Sequence, residues 1–222
     1  MLKINLLGQF SIRVNDEYVN LPSRPAQALF AYLVLNGGKR LRREKVAGIF
    51  WPDTNEVNAR SQLRHALWRV RTALNAYGLD ARQMFPEDTL HVFYCPTPEH
   101  WLDVDELLKP ATSSLTIEEL LGQLTHYAEF LPGFNGVWDE WTNEWREHIQ
   151  RKYLIKSLCL IDRLIKGGRW VEALDWAVRL LCDTESLNAI DPITMDPVGQ
   201  KIKWLLHSLL ESWKPSVHAN HT

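Results

Sequence analysis

The stretch Asn58-Ala59-Arg60-Ser61-Gln62-Leu63-Arg64-His65-Ala66-Leu67-Trp68-Arg69-Val70-Arg71-Thr72-Ala73-Leu74 decides how this chain is read. Leu63, Leu67, Val70 and Leu74 recur at helical spacing and form one apolar stripe. At roughly 100° per residue, Asn58, Ser61, His65, Arg69 and Thr72 fall on the opposite face, with Arg60, Arg64 and Arg71 on a flank. Short polar groups at the centre and long cations at the edge are what a helix in a DNA major groove needs. Base edges are read by central side chains, while phosphates are held by arginines and lysines reaching sideways. The stretch reads as a recognition helix.

The charge around it is lopsided. Between Arg24 and Arg71 lie ten Lys/Arg (Arg24, Lys39, Arg40, Arg42, Arg43, Lys45, Arg60, Arg64, Arg69, Arg71) and three acids (Glu44, Asp53, Glu56). The whole chain of 222 residues has a net charge of only −2, but cutting after Tyr94 leaves 13 Lys/Arg against 8 Asp/Glu before the cut and 12 against 19 after it. The halves are thus +5 and −7, the pattern of a basic nucleic-acid module joined to an acidic one suited to protein partners. An apolar content of 45% with ten tryptophans supplies real cores.

Cys95, Cys159 and Cys182 stand apart with no CxxC pair, so neither a zinc site nor a disulfide framework is indicated, and reduced thiols in the cytoplasm are expected. No run approaches the 18 or so apolar residues of a membrane span, and no export signal opens the chain. Walker, GxGxxG and HExxH motifs are absent, and the expectation is no enzyme, no cofactor and no metal.

Outward from the helix, Leu2, Ile4 and Leu6, then Phe10, Ile12 and Val14, then Tyr18 to Leu21 beyond an Asn15-Asp16 turn, predict three or four short antiparallel strands. Ala26, Leu29, Phe30 and Leu33 predict a first helix ended by Asn36-Gly37-Gly38. Val46, Ile49 and Phe50 predict a second, ended by Trp51-Pro52. Thr54 or Asn55 caps the third. After Tyr77-Gly78 a hairpin of 82–85 and 89–94, with Pro86-Glu87-Asp88 at its tip, would complete a winged helix-turn-helix. Beyond Trp101 the periodicity is helical, with helices expected over 104–108, 117–130, 138–165, 170–182 and 197–213. The turn Lys166-Gly167-Gly168-Arg169, with Ala173 and Ala177 small enough for close packing, looks like a tetratricopeptide hairpin. The expected fold is therefore an α+β winged helix-turn-helix over 1–95, a linker over 96–100, an all-α tetratricopeptide-like domain over 101–214 and a disordered tail over 215–222.

These segments resemble a known family. The runs Leu6-Leu7-Gly8-Gln9-Phe10-Ser11-Ile12, Pro25-Ala26-Gln27-Ala28-Leu29-Phe30-Ala31-Tyr32-Leu33, Arg42-Arg43-Glu44, Phe50-Trp51-Pro52-Asp53 and 59–74 resemble the Streptomyces antibiotic regulatory protein (SARP) family. Trp101-Leu102-Asp103-Val104-Asp105, Leu131-Pro132-Gly133-Phe134 and Trp138-Asp139-Glu140-Trp141 are similar to its second half. The resemblance implies an OmpR-type winged helix joined to a bacterial transcriptional activator domain, with side-by-side protomers on promoter direct repeats and recruitment of RNA polymerase. It also implies that the helix from Glu56 to Tyr77 enters the groove and that Arg42-Arg43 begin the helix before it. The chain departs from the family over 187–197, where an irregular stretch with Asp191-Pro192 and Asp196-Pro197 replaces a further hairpin, so the helical half is short.

The combined expectation is a sequence-specific, transcription-regulating protein acting as an activator on double-stranded DNA, as a homodimer there, with no membrane partner. Base readout falls to Ser61, Gln62, His65 and Arg69, and phosphate anchoring to Lys39, Arg40, Arg42, Arg43, Arg60, Arg64 and Arg71. Seven phosphate contacts imply a slope of log K against log salt of about −6. The alternative is a protein-interaction adaptor whose winged helix reads no DNA. Trp138, Trp141 and Trp145 share a helical face and are expected in the core, and the acids near them on a solvated face. His91 and Cys95 lack a third orienting group and carry no catalytic expectation.

Overall fold

A computed structural model describes residues 1–96, 100–110 and 115–187, the last seven as backbone only. The helix expected over 197–213 and the tail from 215 lie outside the described residues. The chain divides into two compact units, Met1–Lys109 with His126–Ile149, and Pro110–Thr125 with Gln150 onward.

The first unit opens with β1 (Leu2–Asn5), β2 (Ser11–Val14) and β3 (Glu17–Tyr18), antiparallel in turn, with Ile4 opposite Ile12. Alternation sends Leu2, Ile4, Ile12 and Val14 inward. The Asn15-Asp16 turn has φ of 50° and 69°, the left-handed pair that a tight hairpin of this twist requires, and Asn and Asp tolerate it best. Next come α1 (Arg24–Leu35), β4 (Leu41–Arg42), α2 (Arg43–Phe50) and α3 (Glu56–Asn75). Asn55 caps α3 by accepting from the amide of Asn58 at 3.0 Å. Ala59, Leu63, Ala66, Leu67, Val70 and Leu74 of α3 are buried, so the apolar stripe packs as the sequence predicts. Truncating such a leucine to alanine costs about 2–5 kcal/mol.

A short α4 (Ala81–Met84) follows, then β5 (His91–Val92), which pairs with β4, and β6 (His100–Leu102), which joins the first sheet parallel to β1. The sheet order is β3-β2-β1-β6. After α5 (Asp103–Leu108), the returning segment 126–149 closes this unit. Gly8 donates to the carbonyl of Glu129 at 2.7 Å, and Leu131 donates to that of Leu6 at 2.9 Å. Phe134 lies 6.0 Å from Phe10, and Trp141 lies 5.3 Å from Tyr32 and 6.1 Å from Phe50. Of the three tryptophans expected in the core, Trp141 is buried, whereas Trp138 and Trp145 are half-buried. Asp103, also buried, accepts from the amides of Leu6, Leu7 and Val104, each at 2.8 Å at its nearest, and so ties β1 to the start of α5. Burial pushes its carboxyl above the ordinary range although those amides pull the other way.

The second unit contains α6 (Ile117–Leu124), the later part of α7 (Asp139–Lys166) and α8 (Trp170–Leu187). Thr116 and Glu119 form a reciprocal capping box at the start of α6. At the α7 to α8 turn Gly168 has φ of 74°, and Arg169 donates to the carbonyl of Leu164 at 2.9 Å. Ala173 and Ala177 are fully buried, as their small size predicts.

Three sequence expectations are corrected. The hairpin over 82–85 and 89–94 is not formed: Ala81, Met84 and Phe85 are buried at helical spacing, and Asp80 caps α4 by accepting from the amides of Arg82 and Gln83. Residues 89–94 contribute only β5, paired with β4 instead of with 82–85. The helix expected over 117–130 stops at Leu124, because Glu129 and Leu131 are drawn into extended pairing with the Leu6 to Gly8 stretch. Finally, helix does not begin at once where the linker over 96–100 was expected to end, since His100–Leu102 is a strand.

Candidate nucleic-acid interface

α3 is held at its back by α1 and α2 and presents the other side outward. Gln62, Arg64, His65, Trp68, Arg69 and Thr72 are exposed, while Ser61 is half-buried. Arg64 and Arg69 form no ion pair among the described residues. The sequence reading passed over Trp68, whose 61% exposure is high for a tryptophan.

On one flank, α3 faces the loop between α4 and β5 across a cleft of about 580 Å³. Arg43, Arg60, Arg64 and Arg71 line it, and so do Glu44, Glu87 and Asp88. Most of these arginines are engaged. Arg71, with its side chain only 18% exposed, donates from Nε to the carbonyl of Phe85 at 3.0 Å and from Nη2 to that of Pro86 at 3.1 Å. Arg60 pairs with Glu44 at 2.8 Å and also with Glu56. Arg43 donates to the carbonyl of Asp88 at 2.8 Å. Burial lowers the pKa of both Arg43 and Arg71, and in Arg43 the nearby Arg71 adds to the effect.

The loop itself is organised by Asp88, which accepts from the amides of Leu90 at 2.8 Å and His91 at 2.7 Å. Those two bonds hold its carboxyl below the ordinary range. An Asp two or three residues before its amide donors is a common turn signal, but the alternation around it pointed to a hairpin tip instead. The other expected phosphate ligands are not among the residues lining this cleft. Arg40 sits over the Phe93 ring at 4.9 Å and 3.7 Å from Asp88, Lys39 donates to Asn36 at 3.3 Å, and Arg42 is exposed on β4.

The opposite flank of α3 faces the entry to α1. One cleft there, of about 440 Å³, is lined by Asn20, Pro22, Ser23, Trp68, Arg69, Thr72 and Ala73. A second, of about 240 Å³, is lined by Ser23, Pro25, Trp51, Gln62, His65, Ala66 and Arg69. Three of the four expected base readers, Gln62, His65 and Arg69, are thus brought together, and Ser61 is not among them.

No protein-family model and no curated protein matches the chain. Among solved structures it is similar to Mycobacterium tuberculosis EmbR in complex with a low affinity phosphopeptide, with a TM-score of 0.62 and 14% sequence identity. The match covers 95% of this chain and 65% of that one, so the chain spans about two-thirds of the EmbR length. The likeness is one of architecture, and the chain has an EmbR-like fold: a small N-terminal sheet followed by a mostly helical remainder.

Proposed function

We propose that the protein is a sequence-specific DNA-binding transcriptional regulator whose first unit places α3 in the major groove. The observation that carries this reading is the division of α3 into a fully buried apolar stripe and an exposed face bearing Gln62, Arg64, His65 and Arg69. Ser61, Gln62, His65 and Arg69 are assigned to base edges, and Arg64, Arg42, Arg40, Lys39 and Arg60 to backbone phosphates. Arg71 and Arg43 are left out of that set, since their guanidiniums already serve the carbonyls of Phe85, Pro86 and Asp88. The resemblance to the SARP regulators supports side-by-side protomers on direct repeats and a contact between the helical half and RNA polymerase. No described helix is long and apolar enough to cross a membrane.

The test is selection of bound genomic fragments followed by anisotropy titration of the best fragment across a salt series. A repeated motif is expected, with a slope of log K against log salt of about −4.5 for five phosphate contacts. The adaptor reading is favoured by the exposed Trp170, Val171 and Val178 of α8, an apolar face open to a protein partner. It would be established by partner capture together with sequence-blind DNA binding no tighter than about 10⁻⁴–10⁻⁶ M.

A further inference from the structure

The clefts between α3 and the entry to α1 differ from the rest of the interface in having no acidic lining residue. Both contain Ser23 and Arg69. Ser23 is the residue before the first turn of α1, a twelve-residue helix, and it makes no capping hydrogen bond. It is only 8% exposed, yet its hydroxyl has no hydrogen-bond partner among the described residues. A serine at this position ordinarily accepts from an amide two or three residues on, and Pro25 removes one of the nearest donors. The first-turn amide of Arg24 is likewise not used by the helix itself, and the positive end of the helix dipole lies there, whereas Ala26 is fully buried. Gln27 fixes the approach by donating to the carbonyl of Leu21 at 2.6 Å. Opposite stands the exposed, unpaired guanidinium of Arg69.

A hydroxyl with no capping bond, the free amide of Arg24 and an unneutralised arginine around one acid-free cleft are complementary to a compact anion with several acceptor oxygens. We propose that Ser23, the Arg24 amide at the start of α1 and Arg69 form a phosphoryl-group site, filled by a backbone phosphodiester when α3 lies on DNA. The DNA arm rests on the regulator reading above. It moves Arg69 from base readout to phosphate anchoring, and it makes Trp68 and Trp51 walls of a phosphate slot.

The experiment compares wild type, Ser23→Ala and Arg69→Gln on the selected duplex and on an unrelated duplex. The selected duplex is also prepared with single methylphosphonates at successive positions. Both substitutions are expected to weaken binding about tenfold, by the same factor on both duplexes. Arg69→Gln should also make the salt slope shallower by about 0.9. One methylphosphonate position should weaken wild type and leave both variants unaffected. A loss confined to the selected sequence and mapped to one base pair would overturn the assignment of Arg69, and full affinity in Ser23→Ala would overturn the site. Should wild type bind no DNA, inorganic phosphate becomes the probe, read by the amide shift of Arg24. Saturable shifts that vanish in Ser23→Ala would keep the phosphoryl site while the regulator reading falls, and flat titrations would overturn both. Matching thermal melts for the three proteins make the comparisons like for like.

Discussion

The two flanks of α3 carry cations to different ends. On the side facing the loop after α4, four arginines share a cleft with three carboxylates, and Arg71 and Arg43 are spent on backbone carbonyls. On the side facing α1, Arg69 stands with Ser23 and no acid at all. Counting positive residues along the sequence ranks the first flank higher, whereas the charge left unneutralised in the fold is about equal on the two. An arginine held at a carbonyl stabilises the scaffold, and only an unengaged one is available to a polyanion.

This contrast is sharpened most by Arg71→Ala. Removing a half-buried guanidinium that satisfies two carbonyls should cost about 2–3 kcal/mol in urea denaturation, while the salt slope of any variant that still folds stays unchanged. A shallower slope would return Arg71 to the phosphate set. Arg64→Ala should behave in the opposite way, with stability within about 0.5 kcal/mol of wild type. Its DNA affinity should fall on every sequence, and its slope should become shallower by about 0.9.

A smaller effect is expected from Glu44→Gln, which releases Arg60 from one of its two carboxylate partners. Both side chains are well exposed, so stability should barely move, and non-specific DNA affinity should rise a few-fold. A fall in affinity would show that Glu44 positions Arg60 rather than competes for it. The smallest effect concerns Asp88, whose carboxyl the amides of His91 and Leu90 hold below its ordinary 3.8. For an acid with a depressed folded value, the stabilisation is present above the ordinary value and is lost as pH falls through the depressed one. Wild type should therefore lose stability as pH falls below the ordinary value, and Asp88→Asn should flatten that part of the profile.

The sequence makes α3 legible because period and charge agree there. Leu63, Leu67, Val70 and Leu74 can share only a helical face, and all four are buried. The glycine turn before α8 is legible for the same reason, since Gly168 adopts the left-handed conformation its position predicts. Ala81 to Met84 is harder, because four residues fit both a strand and one helical turn, and the side chain of Asp80 decides between them. Strand β6 could not be read from local pattern at all. His100, Trp101 and Leu102 become a strand only because β1, nearly a hundred residues earlier, offers an edge. Ser23 shows the limit for the candidate site: Ser-Arg-Pro signals a helix start, but only the fold shows that its hydroxyl makes no cap and that the residue lines a cleft with Arg69.

The interleaving of the first unit bears on how it is made. α3 has left the ribosome once Asn75 is out, but the sheet it depends on lacks β6 until Leu102 appears, and Phe134 and Trp141 arrive later still. At about 5–20 residues per second, the interval from Asn75 to Ile149 lasts roughly 4–15 s. Throughout that time the nascent chain shows a finished basic helix above an unfinished floor. Phe10, Tyr32 and Phe50 then wait for aromatic partners not yet synthesised, which makes this window the point at which a chaperone would be recruited or a truncated product would aggregate.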